Sequence, residues 1–514
     1  MDKSPAWKGI LVYDIGTTSV KSAIFDGEGK PRFSVSVPYK TEYPRPGWAQ
    51  QDPLQFWEAA VQGTREMFAL PEAAGLSIEA IGLSGHMNGS LPVDAEGNPV
   101  YPELIHSDSR GGPQCEKILS RFGVEELYAV TGNRTDAHLS LPKMLWLKDE
   151  EAGAYKKTRW FLNSKDFLRF KLTGLSGITD YSDASLTGIF DVNKRTWAWD
   201  LIEDLNFSRS CFPEVRSSID SGGKLCKEAA AVLGLPSGIP VSVGGGDASC
   251  ATRGSGISAA GEAYISFGSS AWISILAPDP VFDPKKRMQN FFDLNGKDCN
   301  ICGTVQSAGA AVDWVIALLF GDTELRPEEY RRIEKELELK PIGSGGVMFL
   351  PYLMGERTPH WDPAARGVFS GLSLSTGREN MIRSVYEGVS FALREVTEVY
   401  TDIAMPVKSM KLLGGGVRSV FWQKMICDIL GLPVFIHPFP THAISLGAAL
   451  AAGVSIGMWR DIDQACRAVS AGAESIIPDP ASAAAYEPLF AAYKKMYGAL
   501  KPVFDDLRNT ANVG

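Results

Sequence analysis

Four short stretches bring together residue types that do chemistry. The first, "DIGTTSVK", sets Asp14, Gly16, Thr17 and Thr18 between two β-branched runs, Ile10 to Tyr13 and Val20 to Phe25. Glycine lets backbone approach an anion closely, and turn amides can point into such a turn. The hydroxyls of Thr17, Thr18 and Ser19 add donors, so the stretch suits phosphate. The two common phosphate loops are absent: there is no G-x-x-x-x-G-K-S/T, and the segment after Gly16 reads as a strand where a dinucleotide fingerprint needs a helix. A carboxylate repels phosphate, so Asp14 is read as organising Mg²⁺ through water, with the metal bridging to the phosphate. The second stretch, "EAYISFGSSAWISIL", repeats the construction with Gly268, Ser269 and Ser270. Either turn alone is also a plain solvated hairpin. Two of them, one with an aspartate, suggest a polyphosphate held at both ends across an interdomain cleft.

The third stretch, "VSVGGGDASC", runs an apolar strand into three glycines and the lone carboxylate Asp247. Consecutive glycines are entropically costly and make sense where backbone passes very near a ligand or another chain segment. An exposed aspartate is a weak base at neutral pH. It still serves where the alcohol proton becomes acidic during bond formation. The alternative is a surface-loop aspartate. The fourth, "MKLLGGGVRSVFWQKMICDILGLPV", is a strand, three glycines and an amphipathic helix with Trp422, Met425, Ile426 and Ile429 on its apolar face. Glycines there suit a flat ring such as adenine stacking on backbone. A tight strand-to-helix turn is the plain alternative.

The elements that must carry these stretches are an early hairpin, a third strand over Arg32–Val37, a helix over Gln51–Leu70 after "QQDP", and a buried strand entering the glycine-rich loop of "IGLSGHMNGSLPVD". This is a mixed α/β layer. The second hairpin lies about half a chain away from the first. Helices are expected over Ser307–Leu319, Pro327–Leu337, Arg378–Tyr400, Val420–Leu430 and Ala443–Gly453. Two related domains follow, 1–257 and 258–514, and 514 residues are too many for one core.

Hydrophobic content of 45% and charged content of 22% are ordinary for a globular enzyme. A net charge of −9, with both signs spread, argues against nucleic acid or an anionic membrane as partner. The eight cysteines are scattered and read as free thiols in a reducing compartment. The polar start does not read as a signal peptide, and no run of about 18 apolar residues appears, so no membrane span is expected. The expected location is the cytoplasm. Six dispersed histidines suggest no protein-bound metal site. His360 reads as structural, His437 and His442 as surface or loop residues, and Trp48 and Trp57 as packing, with a loop that covers the sugar as the alternative for Trp48.

Taken in order, the motifs resemble those of the FGGY carbohydrate kinases, in the actin and hexokinase superfamily. D-I-G-T-T-S-V-K is similar to the family's first phosphate loop, F-G-S-S-A at Phe267 to its second, and G-G-G-D at Gly244 to the loop bearing the catalytic base. G-G-G-V-R-S at Gly414 is similar to its adenosine loop. "FLPYLMGERTPHWDPAARGVFSGLS" and "PGWAQQDPLQFWEA" resemble the xylulokinase branch, and the similarity runs from about Tyr13 to about Tyr497. The resemblance implies two ribonuclease-H-like α/β domains closing on ATP, Mg²⁺ and a sugar or polyol, and dimers are common in the family. It implies Asp247 as base and Asp14 at the metal. Gly16, Thr17, Thr18, Gly268, Ser269, Ser270, Gly309, Gly415, Gly416 and Ser419 would serve ATP. Met87, Asn88, Asp108 and Asp247 would face the sugar, with His86 and His106 either in the same pocket or packed as loop histidines.

Three positions depart from the branch. Asn88 stands where Q-M-H-G has His, His106 where W-N-D-G-R has Trp, and Ala248 where G-G-G-D-N has Asn. Ketopentoses such as xylulose are the expected acceptors, with other sugars, aldonates or polyols (gluconate, glycerol or erythritol type) as alternatives. A nucleotide-switched binding protein and a non-catalytic sugar sensor are the readings from other classes.

Overall fold

The strands Lys8–Ile15 and Ser19–Phe25 form the expected hairpin, paired from Ile10↔Phe25 to Ile15↔Val20. Pro31–Pro38 adds antiparallel to one side, and Ser77–Gly85 adds parallel to the other. The sheet continues through Pro240–Ser242 and Ser221–Lys224, and Gly245–Gly246 pairs with the far end of Ser77–Gly85. In the computed structural model, which describes residues 7–321, 326–469 and 474–511, this sheet belongs to one of two compact units. That unit comprises Met1–Ala260, Leu276–Ile301 and His442–Ala471; the other comprises Gly261–Ile275, Cys302–Thr441 and Gly472–Gly514.

One face of the first sheet is covered by the helix Pro53–Phe68. It starts at Pro53, inside the expected span, because Asp52 caps it by accepting from the Leu54 amide at 3.0 Å. Proline fits the first helical turn, where its missing N–H is not needed. Phe56, Ala60 and Met67 enter the core beside Leu11, Tyr13 and Ile24. The other face meets Ala443–Ser455, whose small residues allow backbone contact. A Cβ at Gly447 would overlap the Cys250 carbonyl, and one at Gly254 the Ala443 carbonyl. The helix Asp247–Gly254 is therefore fixed against Ala443–Ser455 with no room for a side chain between them.

The second unit repeats the opening move. Ala263–Phe267 pairs antiparallel with Ala271–Ala277, and parallel with Met410–Leu413, which pairs parallel with Val434–Ile436. The expected helices appear as Gly309–Phe320, Pro327–Glu338, Arg378–Asp402 and Val420–Leu430. The first begins two residues later than expected. The amides of Ala308 and Ala310 are drawn to the Ser269 carbonyl at 2.8 and 3.0 Å, and the Gly309 amide to that of Gly268 at 2.8 Å. Both units are α/β with mixed sheets. Among the described residues, no helix is long and apolar enough to cross a membrane.

Candidate functional site

In the first unit, Asp14 lies one residue from the end of its strand and is buried, with Oδ2 accepting from Ser445 Oγ at 3.1 Å. Burial raises its carboxyl above the usual range, and Lys21 and Ser445 pull it back. The carbonyls of the following turn are all engaged. That of Gly16 accepts from the Tyr39 hydroxyl, that of Thr17 from Gln51 Nε2 at 2.8 Å, and that of Thr18 from the Tyr39 amide at 3.1 Å. Thr18 is exposed and Thr17 half-buried. With its acceptors tied back, the turn offers donors. Tyr39, Gln51 and Ser445 were not singled out in sequence because each reaches the turn across tertiary distance.

Asp247 is the first residue of its helix, directly after Gly245–Gly246. Its Oδ1 accepts from the Ala248 amide at 2.7 Å. It is half-buried, which corrects the picture of an exposed weak base. Burial, and then the negative charge of Asp14, push its carboxyl up to about 7.

Met87 lies directly against this loop, because a Cβ on Gly246 would come within 2.5 Å of its Cγ and Sδ. Asn88 adopts left-handed backbone, φ 61°. Its carbonyl accepts from the buried Lys143 Nζ at 2.8 Å, and its Oδ1 is buried with no partner among the described residues. His86 is buried edge-on to Phe56, with ring centroids 6.2 Å apart, and 6.3 Å from His106. Burial and Lys143 push it down to about 4, so it is neutral at pH 7. Its Nε2 is 3.8 Å from Glu103 Oε2, a carboxyl that burial and Asp183 hold well above the usual range. Asp108 is turned away from open space. Its oxygens accept from Arg110 Nε at 3.0 and 2.8 Å and from the Ala49 amide at 2.6 Å, and Arg110 lies over the Trp48 ring at 3.9 Å. Trp48 is thus held as a wall.

The second unit contains a cavity of about 670 Å³. Gly268, Ser269, Gly309, Gly415, Gly416 and Ser419 line it, joined by Tyr330, Glu334, Tyr386 and Trp422. Ser270 closes the hairpin turn, its carbonyl accepting from the Gly268 amide at 2.9 Å. Ser419 caps the helix Val420–Leu430 through the Trp422 amide at 3.0 Å. Trp422, Met425, Ile426 and Ile429 are buried as the amphipathic spacing requires. Glu334 accepts from the Tyr386 hydroxyl at 3.2 Å, and burial raises its carboxyl. Tyr330 and Glu334 come from the charged helix Pro327–Glu338, which carries no motif in the sequence to single them out. His360 is structural, stacked on Tyr497 with centroids 3.6 Å apart. His437 is not a surface residue. It is buried, with Nδ1 accepting from the Phe439 amide at 3.0 Å, and burial pushes it down to about 4.

Two family models match this chain: the N-terminal domain of the FGGY family of carbohydrate kinases over residues 9–254, and its C-terminal domain over 263–456. A xylulose kinase of Bacillus subtilis is 29% identical over 503 residues, covering 98% of this chain and 99% of the relative. Glycerol kinase 2 of Thermotoga maritima is 30% identical over 473 residues, covering 89% and 92%. Among solved structures, a xylulose kinase from Rhodospirillum rubrum has a TM-score of 0.86 at 27% identity, covering 97% of this chain and all of that one. A gluconate kinase from Lactobacillus acidophilus has a TM-score of 0.89 at 24% identity over 98% of this chain, a likeness of fold.

Proposed function

The chain belongs to the FGGY family of carbohydrate kinases, a phosphotransferase with an alcohol acceptor, and from that premise we propose that it moves the γ-phosphoryl group of ATP to a hydroxyl of a ketopentose such as xylulose. The observation that carries this reading is Asp247: a half-buried carboxyl directly after three glycines, pushed up to about 7 by burial and by the charge of Asp14. Phosphoryl transfer has a loose transition state, so alignment and charge neutralisation matter most. Asp247 takes the proton of the attacking hydroxyl. Residues 1–257 supply the sugar contacts and the first phosphate loop, and 258–514 the nucleotide side. Thr17, Thr18, Ser269 and Ser270 hold phosphate oxygens with the adjacent amides, and Gly16 and Gly268 let the backbone come close. Gly309, Gly415, Gly416 and Ser419 line the nucleoside. Asp14 fits a divalent cation, being a buried carboxylate that burial disfavours in its charged form. When bound, Mg²⁺ would supply positive charge to the polyphosphate there.

On the sugar side, His86 is neutral, Met87 backs the base loop, and Asp108 acts through Arg110 and Trp48. A buried acceptor without a partner, such as Asn88 Oδ1, costs about 1–3 kcal/mol until a donor arrives. A sugar hydroxyl is that donor. His106 replaces an aromatic wall, and this favours polar over apolar faces of the acceptor. Purified protein with ATP and Mg²⁺, offered pentuloses, hexuloses, aldonates and polyols, is expected to release ADP fastest with a pentulose. Absence of acceptor-dependent ADP from every member of the panel sinks the proposal.

The pH profile is a second expectation. The base acts deprotonated, so kcat/KM for the sugar should rise through about pH 7 as Asp247 loses its proton. Charge neutralisation at Asp14 removes one cause of the elevation, so the bend in kcat at saturating ATP and Mg²⁺ should lie at lower pH. A profile flat from pH 5.5 to 8 under both conditions contradicts the assignment.

A third concerns the nucleotide side. A Cβ on Gly309 would collide with the Gly268 carbonyl. Gly309→Ala should displace the Gly268–Ser269 turn and raise the KM for ATP by about tenfold, a usual cost of misplacing a binding group. Sugar-induced thermal stabilisation should stay unchanged. An unaltered KM for ATP would remove this turn from the nucleotide site.

A further inference from the structure

Asp247 follows three glycines, and glycine has no side chain with which a loop can fix itself. Besides the pairing of Gly245–Gly246 with Ser77–Gly85, the position of the carboxylate therefore depends on what holds the two ends of Gly244–Gly246. The Gly246 amide donates to Ser182 Oγ at 2.8 Å. The Gly244 amide donates to the Ser218 carbonyl at 3.1 Å. Both serines converge on one atom. The Ser182 hydroxyl donates to Asp180 Oδ2, and the Ser218 hydroxyl donates to the same oxygen at 2.8 Å. The Ser182 amide adds a third bond to Oδ2, also at 2.8 Å. The other oxygen, Oδ1, lies 2.9 Å from the buried ammonium of Lys165. Asp180, Ser182, Ser218 and Lys165 are all buried.

This arrangement does more than fill space. A serine hydroxyl has one hydrogen and can rotate. Here the hydrogen is committed to a carboxylate, and charge-assisted bonds of this kind are the strong ones. Ser182 Oγ must then present a lone pair elsewhere, and that lone pair meets the Gly246 N–H. The carboxylate thus sets the direction of the hydroxyl, and the hydroxyl sets the peptide just before the base. Ser218 does the same for the other end of the glycine run by holding its backbone against the same anchor.

We propose that Asp180, acting through Ser182 and Ser218, is the positioning residue for the base: it fixes both ends of the triple-glycine segment and so the place where the Asp247 carboxylate meets the sugar hydroxyl. The proposal rests on Asp247 being the base. Asp180 reaches the base loop through Ser182 and Ser218.

The test uses the full chain with ATP, Mg²⁺ and its best acceptor sugar, and compares Ser182→Ala, Ser182→Thr and Asp247→Ala. Ser182→Ala should lower kcat by about 10- to 100-fold, the cost of a slightly misplaced group, with both KM values within about twofold of the parent. Amide hydrogen exchange over residues 244–248 should quicken by about tenfold or more as the Gly246 bond is lost. Ser182→Thr keeps a hydroxyl and should recover most of kcat and of the exchange protection. A merely structural serine would change the melting midpoint without this division between kcat and KM. If Asp247→Ala abolishes turnover while Ser182→Ala keeps the parental kcat, the positioning proposal is overturned and the base stands. The proposal is also overturned if kcat falls while exchange at 244–248 is unchanged. Should Asp247→Ala itself retain turnover, the base assignment fails, and the positioning role with it.

Discussion

Asp247→Ala is expected to reduce acceptor-dependent turnover by about 10²–10⁴-fold, the span usual for a general base, while ATP binding persists. The persistence follows from composition: the cavity lined by Gly268, Ser269, Gly309, Gly415, Gly416 and Ser419 does not include Asp247. Asp247→Asn makes the argument sharper, because it keeps the shape and removes only the charge. It should be as inactive as the alanine variant and yet more stable. An aspartate titrates near 3.9 in an unfolded chain, whereas Asp247 is held at about 7 in the fold. Its ionisation is therefore less favourable folded than unfolded, and the fold loses stability as pH rises from the lower value through the higher. Asparagine removes that loss. The melting midpoint of Asp247→Asn should exceed the parent's at pH 8, and the gain should vanish near pH 4. Scanning calorimetry at the two pH values checks this. A variant that is inactive but also less stable at pH 8 would point to a structural carboxylate, and one with near-parental turnover would remove Asp247 from the chemistry.

Lys165→Met should have the largest effect on stability. The Lys165 ammonium is fully buried, 2.6 Å from Asp166 and 2.9 Å from each of Asp180 and Asp183. Three carboxylates around one cation cannot all be ionised at ease, and Asp183 is held well above the usual carboxylate range by burial, with Asp180 and Asp166 adding to it. Methionine matches the length of lysine but leaves the acids without their cation. Removing one partner of a buried pair costs about 3–5 kcal/mol, because the other charge stays buried. In a unit of this size that is a fall of roughly 5–10 °C in the melting midpoint. Lys165 pulls the Asp183 carboxyl down, so without the ammonium that carboxyl rises further above its unfolded value. Stability is then lost as pH rises between the two, so the deficit should be greatest at pH 7–8 and shrink towards pH 5. Thermal denaturation across that range decides the matter. A deficit that is independent of pH would mean that packing, not charge, is what the lysine supplies.

The local chemistry of this chain was legible because it is written in contiguous residues. Gly16-Thr17-Thr18 between β-branched runs makes a hairpin, and so does Gly268-Ser269-Ser270. The amphipathic face of Trp422, Met425, Ile426 and Ile429 makes a buried helix, because helix period and side-chain character suffice to fix it. The charged residues were less legible. "NSKDFLRF" and "ITDYSDAS" carry no motif, yet Lys165, Asp166, Asp180 and Asp183 are buried together. Nothing local distinguishes a paired buried charge from an exposed one, since pairing is made by residues brought from elsewhere. His437 shows the same limit: it is a loop position, as one of the two readings has it, but a buried one, because its surroundings fold over it.

The two hairpins, the glycine runs, the order of the motifs and hence the family can be read from the residues in order, since each is a property of neighbours along the chain. Folding alone brings Asp14 to the hydroxyl of Ser445, 431 residues away, pushes the Asp247 carboxyl up to about 7, and ties the glycine loop through two serines to one buried carboxylate, Asp180. Those are matters of desolvation and of which charges meet, and both depend on contacts that no local pattern encodes.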